Sequence, residues 1–498
     1  MTSINYVKLL HLALGQVIVV VTALIVMAID LLALRTRATR VRFTVASTLA
    51  SLGCVGAILG ILLAPAQANI FDGALIANPL THLVQIVLLV LTILTLLIAI
   101  DSKFTEHVGE YVLIILLATV GMMFLVATED LLILFVSLEL LSLCLYILTA
   151  FSKRSEQSWE AALKYFLFGG MSAAFLLYGF SLLYGLSDST SLTRIAAAND
   201  GPSLSPLLVI AIVTTTIGLG FKIAAVPFHF WAPDVYLGAP APSAAFIASS
   251  SKVASFFIFF QVMALGFAGV EGTAAVGHLV RGWVPVLALM AVLSMLLGNL
   301  VAIRQTSLRR LLAYSAIAHA GYMLLAIVAH TQQSLAALLY YVVTYSLATL
   351  GAFAVIAVVE QQAGSDELSH FNGLSRRAPV LSFSLAIFIL SLAGIPPLAG
   401  FFAKFYLFVT VLASTPHWPT LLWLVVLAIA MSAVSLYYYL QVLKRVYVAP
   451  PALEALPFSS PALTQILVLV LAASVILLGC APNLFLEWIL KAVQASGL

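Results

Sequence analysis

Five residues able to gain or lose a proton stand where hydrocarbon is expected. Glu139, in Ser137-Leu-Glu-Leu-Leu-Ser-Leu143, and Lys164, Lys222, Lys252 and Lys404 each fall inside a long apolar run. An ionisable group at the centre of a membrane helix costs about 2.5–3.5 kcal/mol, so five ask for roughly 12–17 kcal/mol of compensation. Burial disfavours the charged form of an acid or an amine, and an opposite charge nearby restores it. A Glu and a Lys that approach and part therefore change their hold on a proton. A row of such groups can pass protons in steps, each loading as its neighbour's charge leaves.

Each residue has a plainer reading too. Lys164 is about one turn inside its run with Glu160 four residues before it, so it either snorkels in a helix-surface pair or joins the relay. Lys252, in Ser249-Ser-Ser-Lys-Val253, and Glu139 are about nine residues deep, too far in for an easy reach to headgroups. His319, in Ser315-Ala-Ile-Ala-His-Ala-Gly321, is mid-run and reads equally as a relay or a packing residue. His229, between Phe228 and Phe230, is expected in the interfacial belt, and Tyr437, Tyr438 and Tyr439 are expected to pack or anchor. Cys54, Cys144 and Cys480 lie far apart with no CxxC spacing. Neither a GxGxxG nor a GxxxxGK[ST] loop is present, so no metal, nucleotide or redox centre is expected on this chain.

The elements that must hold these groups follow from composition. Of 498 residues 63% are hydrophobic and 8% charged, against roughly 25% charged in soluble domains, so most of the surface faces lipid. A net charge of +3 is too small to suggest a nucleic-acid partner. Hydropathy predicts an all-α polytopic membrane protein of fourteen transmembrane helices, near 12–34, 43–64, 79–100, 111–127, 131–151, 161–186, 206–227, 242–266, 283–303, 308–328, 334–358, 380–411, 419–442 and 463–485. The first run is too long for a signal segment and reads as a retained helix. Alternate joints differ in charge. One set holds Arg35, Arg37, Arg40, Arg42, Lys103, Lys153, Arg154, Arg304, Arg309, Arg310, Arg376, Arg377, Lys444 and Arg445; the other, with both termini, holds Lys8, Arg194, Arg281 and Lys491. The richer set belongs in the cytoplasm, which puts both termini outside it and requires an even number of spans.

Prolines interrupt two spans beside their lysines. Pro227 follows Lys222 in Gly218-Leu-Gly-Phe-Lys-Ile-Ala-Ala-Val-Pro-Phe-His229, and Pro396 and Pro397 precede Lys404 in Gly394-Ile-Pro-Pro-Leu-Ala-Gly-Phe-Phe-Ala-Lys404. Such breaks are tolerated at membrane depth where they pack in protein or line a wet cavity. Broken helices 7 and 12, five apart, predict two inverted five-helix repeats. The expected organisation is 1–105, a three-helix segment; 106–270, the first repeat; 271–447, the second; and 448–498, the C-terminal helix.

The Glu139 motif, Lys222 to Trp231 with Ala232-Pro-Asp-Val-Tyr236, Ala313-Tyr-Ser-Ala-Ile-Ala-His-Ala-Gly-Tyr322, and Gly394 to Tyr406 together resemble the N-type, antiporter-like membrane subunits of NADH-quinone oxidoreductase, respiratory complex I. The resemblance runs through nearly the whole chain and extends more distantly to Mrp-type sodium/proton antiporter subunits. It implies proton translocation, with Glu139 and Lys222 as the input pair, Lys252 as central relay and Lys404 exchanging protons with the far half-channel. Lys164 resembles a family lysine of less definite role. It also implies that NADH, FMN, Fe-S clusters and quinone belong to partner subunits, among them related antiporter-like ones, in a bacterial inner membrane. Lys404, rather than Glu, and the absence of a long lateral helix distinguish the chain from the other antiporter-like subunits. Tyr236 to Ser243 is more apolar than the family pattern. The rivals are an Mrp-type antiporter subunit, a transporter of an organic solute, and an architectural subunit. One deep carboxylate among several lysines favours protons over a sodium cage.

Overall fold

The computed structural model describes residues 6–102, 104–198, 204–414, 420–450 and 460–497; Lys103, one of the basic joint residues, lies outside them. In chain order the helices are α1 (Tyr6–Leu12), α2 (Leu14–Ile29), α3 (Thr39–Leu63), α4 (Pro79–Ile100), α5 (Val108–Leu125), α6 (Leu131–Thr149), α7 (Glu156–Ser187), α8 (Leu192–Ala198), α9 (Pro206–Ile223), α10 (Trp231–Gly238), α11 (Ala241–Ala248) and α12 (Ser250–Gln261). They continue as α13 (Trp283–Ala302), α14 (Leu308–Ala329), α15 (Gln332–Ala363), α16 (Leu374–Arg377), α17 (Pro379–Ala393), α18 (Ala399–Ala413), α19 (Leu422–Tyr447), α20 (Ala462–Cys480) and α21 (Asn483–Ser496). Among the described residues, thirteen helical segments are long and apolar enough to cross a membrane, and α17 and α18 are two shorter apolar helices. The chain is a multi-pass membrane protein.

Helix starts follow local chemistry. Asn78 and Thr81 form a capping box ahead of Pro79, Thr331 and Ser334 form another, and Ser155, Ser205 and Ser307 cap α7, α9 and α14 through their hydroxyls. Two helices end where the prolines predicted. α9 stops at Ile223 with Ala224 at φ 60°, and the chain resumes as α10; α17 stops at Ala393 with Gly394 at φ 87°. Gly394 also admits the Lys404 stem, whose Cδ lies 3.1 Å from where a Cβ would stand.

Burial separates the helices. The Ala241–Gly266 segment is wholly buried over its apolar window and α14 is 94% buried, against 22% for Leu14–Leu34. A helix apolar all round and enclosed by others is the core of the molecule. α12, α14 and α15 form that core and carry Lys252, His319, Tyr341 and Tyr345.

Three features differ from the sequence expectation. The eighth span is not one helix, since the backbone at Ser249 (φ −117°, ψ −81°) separates α11 from α12 three residues before Lys252. The chain is not purely helical either. Short hairpins pair β1 (Ala68–Ile70) with β2 (Leu75–Ala77), and β3 (Thr273–Ala275) with β4 (His278–Val280). After Pro482 the amphipathic α21 follows α20 rather than extending it.

Candidate functional site

Glu139 is half-buried on α6, its Oε1 enclosed without a hydrogen-bond partner. Lys222, in the last turn of α9, is 8% exposed and within Coulombic reach of Glu139, although the two make no direct ion pair. Its ammonium instead donates to Ser142 Oγ, which itself donates to the Leu138 carbonyl, and lies 5.8 Å from the centre of the Tyr146 ring. Glu139, Ser142 and Tyr146 are spaced to share one face of α6.

Lys252 is 2% exposed. Its Nζ donates to the Ala316 carbonyl at 3.1 Å and the Ile223 carbonyl at 3.4 Å, and sits 5.8 Å from the centre of the Tyr345 ring. Ile223 is the last residue of α9 and the neighbour of Lys222, so the helix break joins the two lysines physically. The C-terminal end of a helix carries partial negative charge and unbonded carbonyls, both suited to an ammonium.

Lys404 repeats this arrangement. Its Nζ donates to the carbonyls of Leu392 and Ala393 at 3.1 and 3.0 Å, the end of α17, and to Ser432 Oγ at 2.9 Å, 5.3 Å from the centre of the Tyr322 ring. Between the two lysines stands His319, within Coulombic reach of both. Its Nδ1 meets Tyr341 Oη at 2.9 Å and its Nε2 meets Tyr439 Oη at 3.3 Å. A cavity of about 10 Å³, the room one water needs, lies between His319 and the α17–α18 break.

The residues foreseen from sequence thus divide. Glu139 and Lys222 stand within Coulombic reach of each other, His319 within reach of Lys252 and Lys404, and Lys252 bonds the residue next to Lys222. Lys164 lies apart, 40% exposed, paired with Glu160 at 2.7 Å and with Asp234 of α10 at 2.8 Å. His229 is 5% exposed in the turn between α9 and α10, packed on Phe230. Tyr437 is exposed as an anchor would be, whereas Tyr439 contacts His319, a role its sequence position does not reveal. Ser142 was findable, being three residues from Glu139 on one helical face. Tyr341 and Tyr345, four apart in a mainly apolar helix, carried a weaker signal. Ser432 and Asn299 carried none. Among the described residues no group of three or more His, Cys, Asp or Glu is placed to hold a metal ion.

Comparison with known proteins identifies the family and the fold. Residues 128–432 match the family described as NADH:quinone oxidoreductase/Mrp antiporter, TM. NADH-quinone oxidoreductase subunit N 2 of Acidobacterium capsulatum is 55% identical, covering 98% of this chain and 100% of that protein. Among solved structures, a chain of respiratory complex I from Thermus thermophilus with bound aureothin is 34% identical, with TM-score 0.77 and coverage of 95% of this chain and 98% of that one. A chain of the Mrp complex from Dietzia sp. shares the fold, with TM-score 0.81 at 20% identity over 97% of each. By the family match over residues 128–432 and the identity to a full-length relative, the chain belongs to the NADH:quinone oxidoreductase/Mrp antiporter membrane family.

Proposed function

We propose that this chain is a proton-translocating membrane subunit of an NADH-quinone oxidoreductase, itself free of redox centres and driven by quinone reduction in neighbouring subunits. NADH, FMN, Fe-S clusters and quinone are then handled by those partners. The observation that carries the reading is the row Glu139, Lys222, Lys252, His319 and Lys404, in which two buried amines rest on carbonyls freed by helix breaks. When Lys222 leaves Ser142 for Glu139 or returns, the field at Lys252 changes, and through His319 the field at Lys404. One pKa unit is worth about 1.4 kcal/mol, so modest movements of buried charge suffice to load and unload a proton.

The finer architecture belongs to the same proposal. Counting α17 and α18 as one broken helix gives fourteen crossings, with residues 106–270 and 271–447 as inverted five-helix repeats between the 1–105 segment and the 448–498 helix. Lys252 and Lys404 seated on the ends of α9 and α17 support the repeat. So do the joints. Arg309 reaches the α10–α11 junction, Gly373 bonds Arg445, and Arg40, Lys153, Arg154 and Gln361 line one large cavity, all on the basic-rich side. Asp72–Arg194 and Trp423–Ala274 join the other side. That sidedness supports a bacterial inner-membrane placement with both termini outside the cytoplasm.

The test is proton pumping by Lys252→Ala and Lys404→Ala variants in inverted membrane vesicles, with assembly followed by NADH–ferricyanide activity. Each variant is expected to assemble and to lose at least ten-fold in NADH-driven acidification. Normal pumping would make the chain architectural, and sodium-driven acidification without NADH would make it an antiporter.

A further inference from the structure

Besides the cavity, a second set of polar groups connects the surroundings of His319 to those of Lys404. Tyr439, which meets His319, adjoins Tyr438, the two rings tilted by 52° with centres 4.5 Å apart. Tyr438 Oη donates to Asn299 Oδ1 at 3.1 Å, and Asn299 Nδ2 donates to Tyr322 Oη at 3.0 Å. Tyr322 in turn carries the Lys404 ammonium over its ring. Asn299 is fully buried on α13, and Tyr438 and Tyr322 are 2% and 1% exposed. A continuous run of proton-carrying groups along this side would pass protons around the cavity, by a route bypassing the carbonyl seat at the α17 break.

The amide in the middle decides whether it does. Asn299 Nδ2 also donates to the Met295 carbonyl at 2.7 Å. A carbonyl only accepts, so the amide cannot be turned around, and its Oδ1 must face Tyr438. Each Asn299 contact is then one-directional: the nitrogen only donates and the oxygen only accepts. A proton relay needs every member to take a proton on one side and release one on the other. A primary amide near neutral pH does neither, and it locks the Tyr438 hydroxyl hydrogen toward a group that cannot pass it on.

We infer that Asn299 is a positioning residue that insulates His319 from Lys404 along the tyrosine side, confining their proton exchange to the small cavity bounded by His319, Tyr341, Ser391 and Leu392. The inference rests on the proton-relay reading above.

The experiment uses the intact complex in inverted vesicles and reads protons moved per NADH oxidised. Asn299→Asp has nearly the same shape but can take up and release a proton. It is expected to lower that ratio at least two-fold, while Asn299→Leu, which cannot carry a proton, keeps it. Adding Tyr438→Phe to Asn299→Asp interrupts the new route and is expected to restore the ratio, an outcome that a packing defect would not produce. Tyr438→Phe alone is expected to pump normally, and this arm stands even where Asn299→Asp fails to assemble. A wild-type ratio in Asn299→Asp, equal losses in the Asp and Leu variants, or loss of pumping in Tyr438→Phe alone would each overturn the inference. Failure of the parent reading shows separately, as normal pumping in Lys404→Ala.

Discussion

At the scale of single residues, the buried amines are held by oxygen. Lys252 and Lys404 take backbone carbonyls and Lys222 takes a hydroxyl, none of them a formal counter-charge in contact. An amine seated this way can lose its proton without leaving a carboxylate stranded in the core, which a permanent buried ion pair would do. Glu129, in the joint between α5 and α6 outside the spans, shows the opposite case. Burial raises its carboxyl above the ordinary value, and the bond from Gln261 Nε2, at 3.3 Å, opposes that in part. An acid that holds its proton more tightly folded than unfolded contributes stability at low pH, and this is lost as pH rises through the folded value. Glu129→Gln is therefore expected to flatten the fall in thermal stability of the solubilised complex as pH rises above 4.5, the ordinary Glu value. An unchanged pH profile would remove Glu129 from that account.

Among the elements, α10 is the one whose position matters most to the row, since it lies between the break after Lys222 and the helices that carry Lys252. It is tied at two points. Arg309, 2% exposed at the start of α14, donates to the carbonyls of Leu237 and Ala239 at 3.0 and 2.9 Å and pairs with Glu360 of α15. Asp234 is held by Lys164 at 2.8 Å, where the two side chains are 29% and 40% exposed. The first tie is enclosed and the second is wet, so they differ in weight. Arg309→Met strands two carbonyls and a half-buried acid and is expected to cost about 3 kcal/mol. Asp234→Asn is expected to cost under about 1 kcal/mol. Thermal unfolding of the purified complex separates the two. The break ahead of α10 was legible, because Pro227 had to end one helix, whereas residues 231–238 read as part of a joint. The clamp on α10 was not legible, because Arg309 reads in sequence as one more basic residue in a joint.

For the whole molecule the claim concerns sides. The joints rich in Lys and Arg meet one another, as do the poor ones, so labelling should find two faces. A cysteine at Arg154 should react with an impermeant maleimide only in inverted vesicles, and one at Arg194 only in right-side-out vesicles; the reverse pattern would invert the topology. Charge alternation made this legible because each joint is short and its sign is a local property. The thirteen long helices were equally plain, since hydropathy sums over about 20 neighbouring residues and needs no knowledge of what they pack against. The small hairpins were not, being three-residue strands whose pairing owes more to the closing joint than to their own composition.

The amino-acid sequence alone determined the solvent, the helices, the two proline breaks and which ionisable residues had to be explained. Those are matters of local composition and of backbone groups that proline removes. The order of the row, the carbonyl seats and the tyrosines around His319 depended on the fold. Lys252 meets a carbonyl 64 residues away and His319 a hydroxyl 120 residues away, and only the packing of α12, α14, α15 and α19 brings them together. The break at Ser249 belongs with these, because no proline marks it and Ser346 Oγ, from the neighbouring α15, donates to the Ser249 carbonyl at 3.4 Å. A buried polar group must find its partner in space, and the partner's distance along the chain carries no energy.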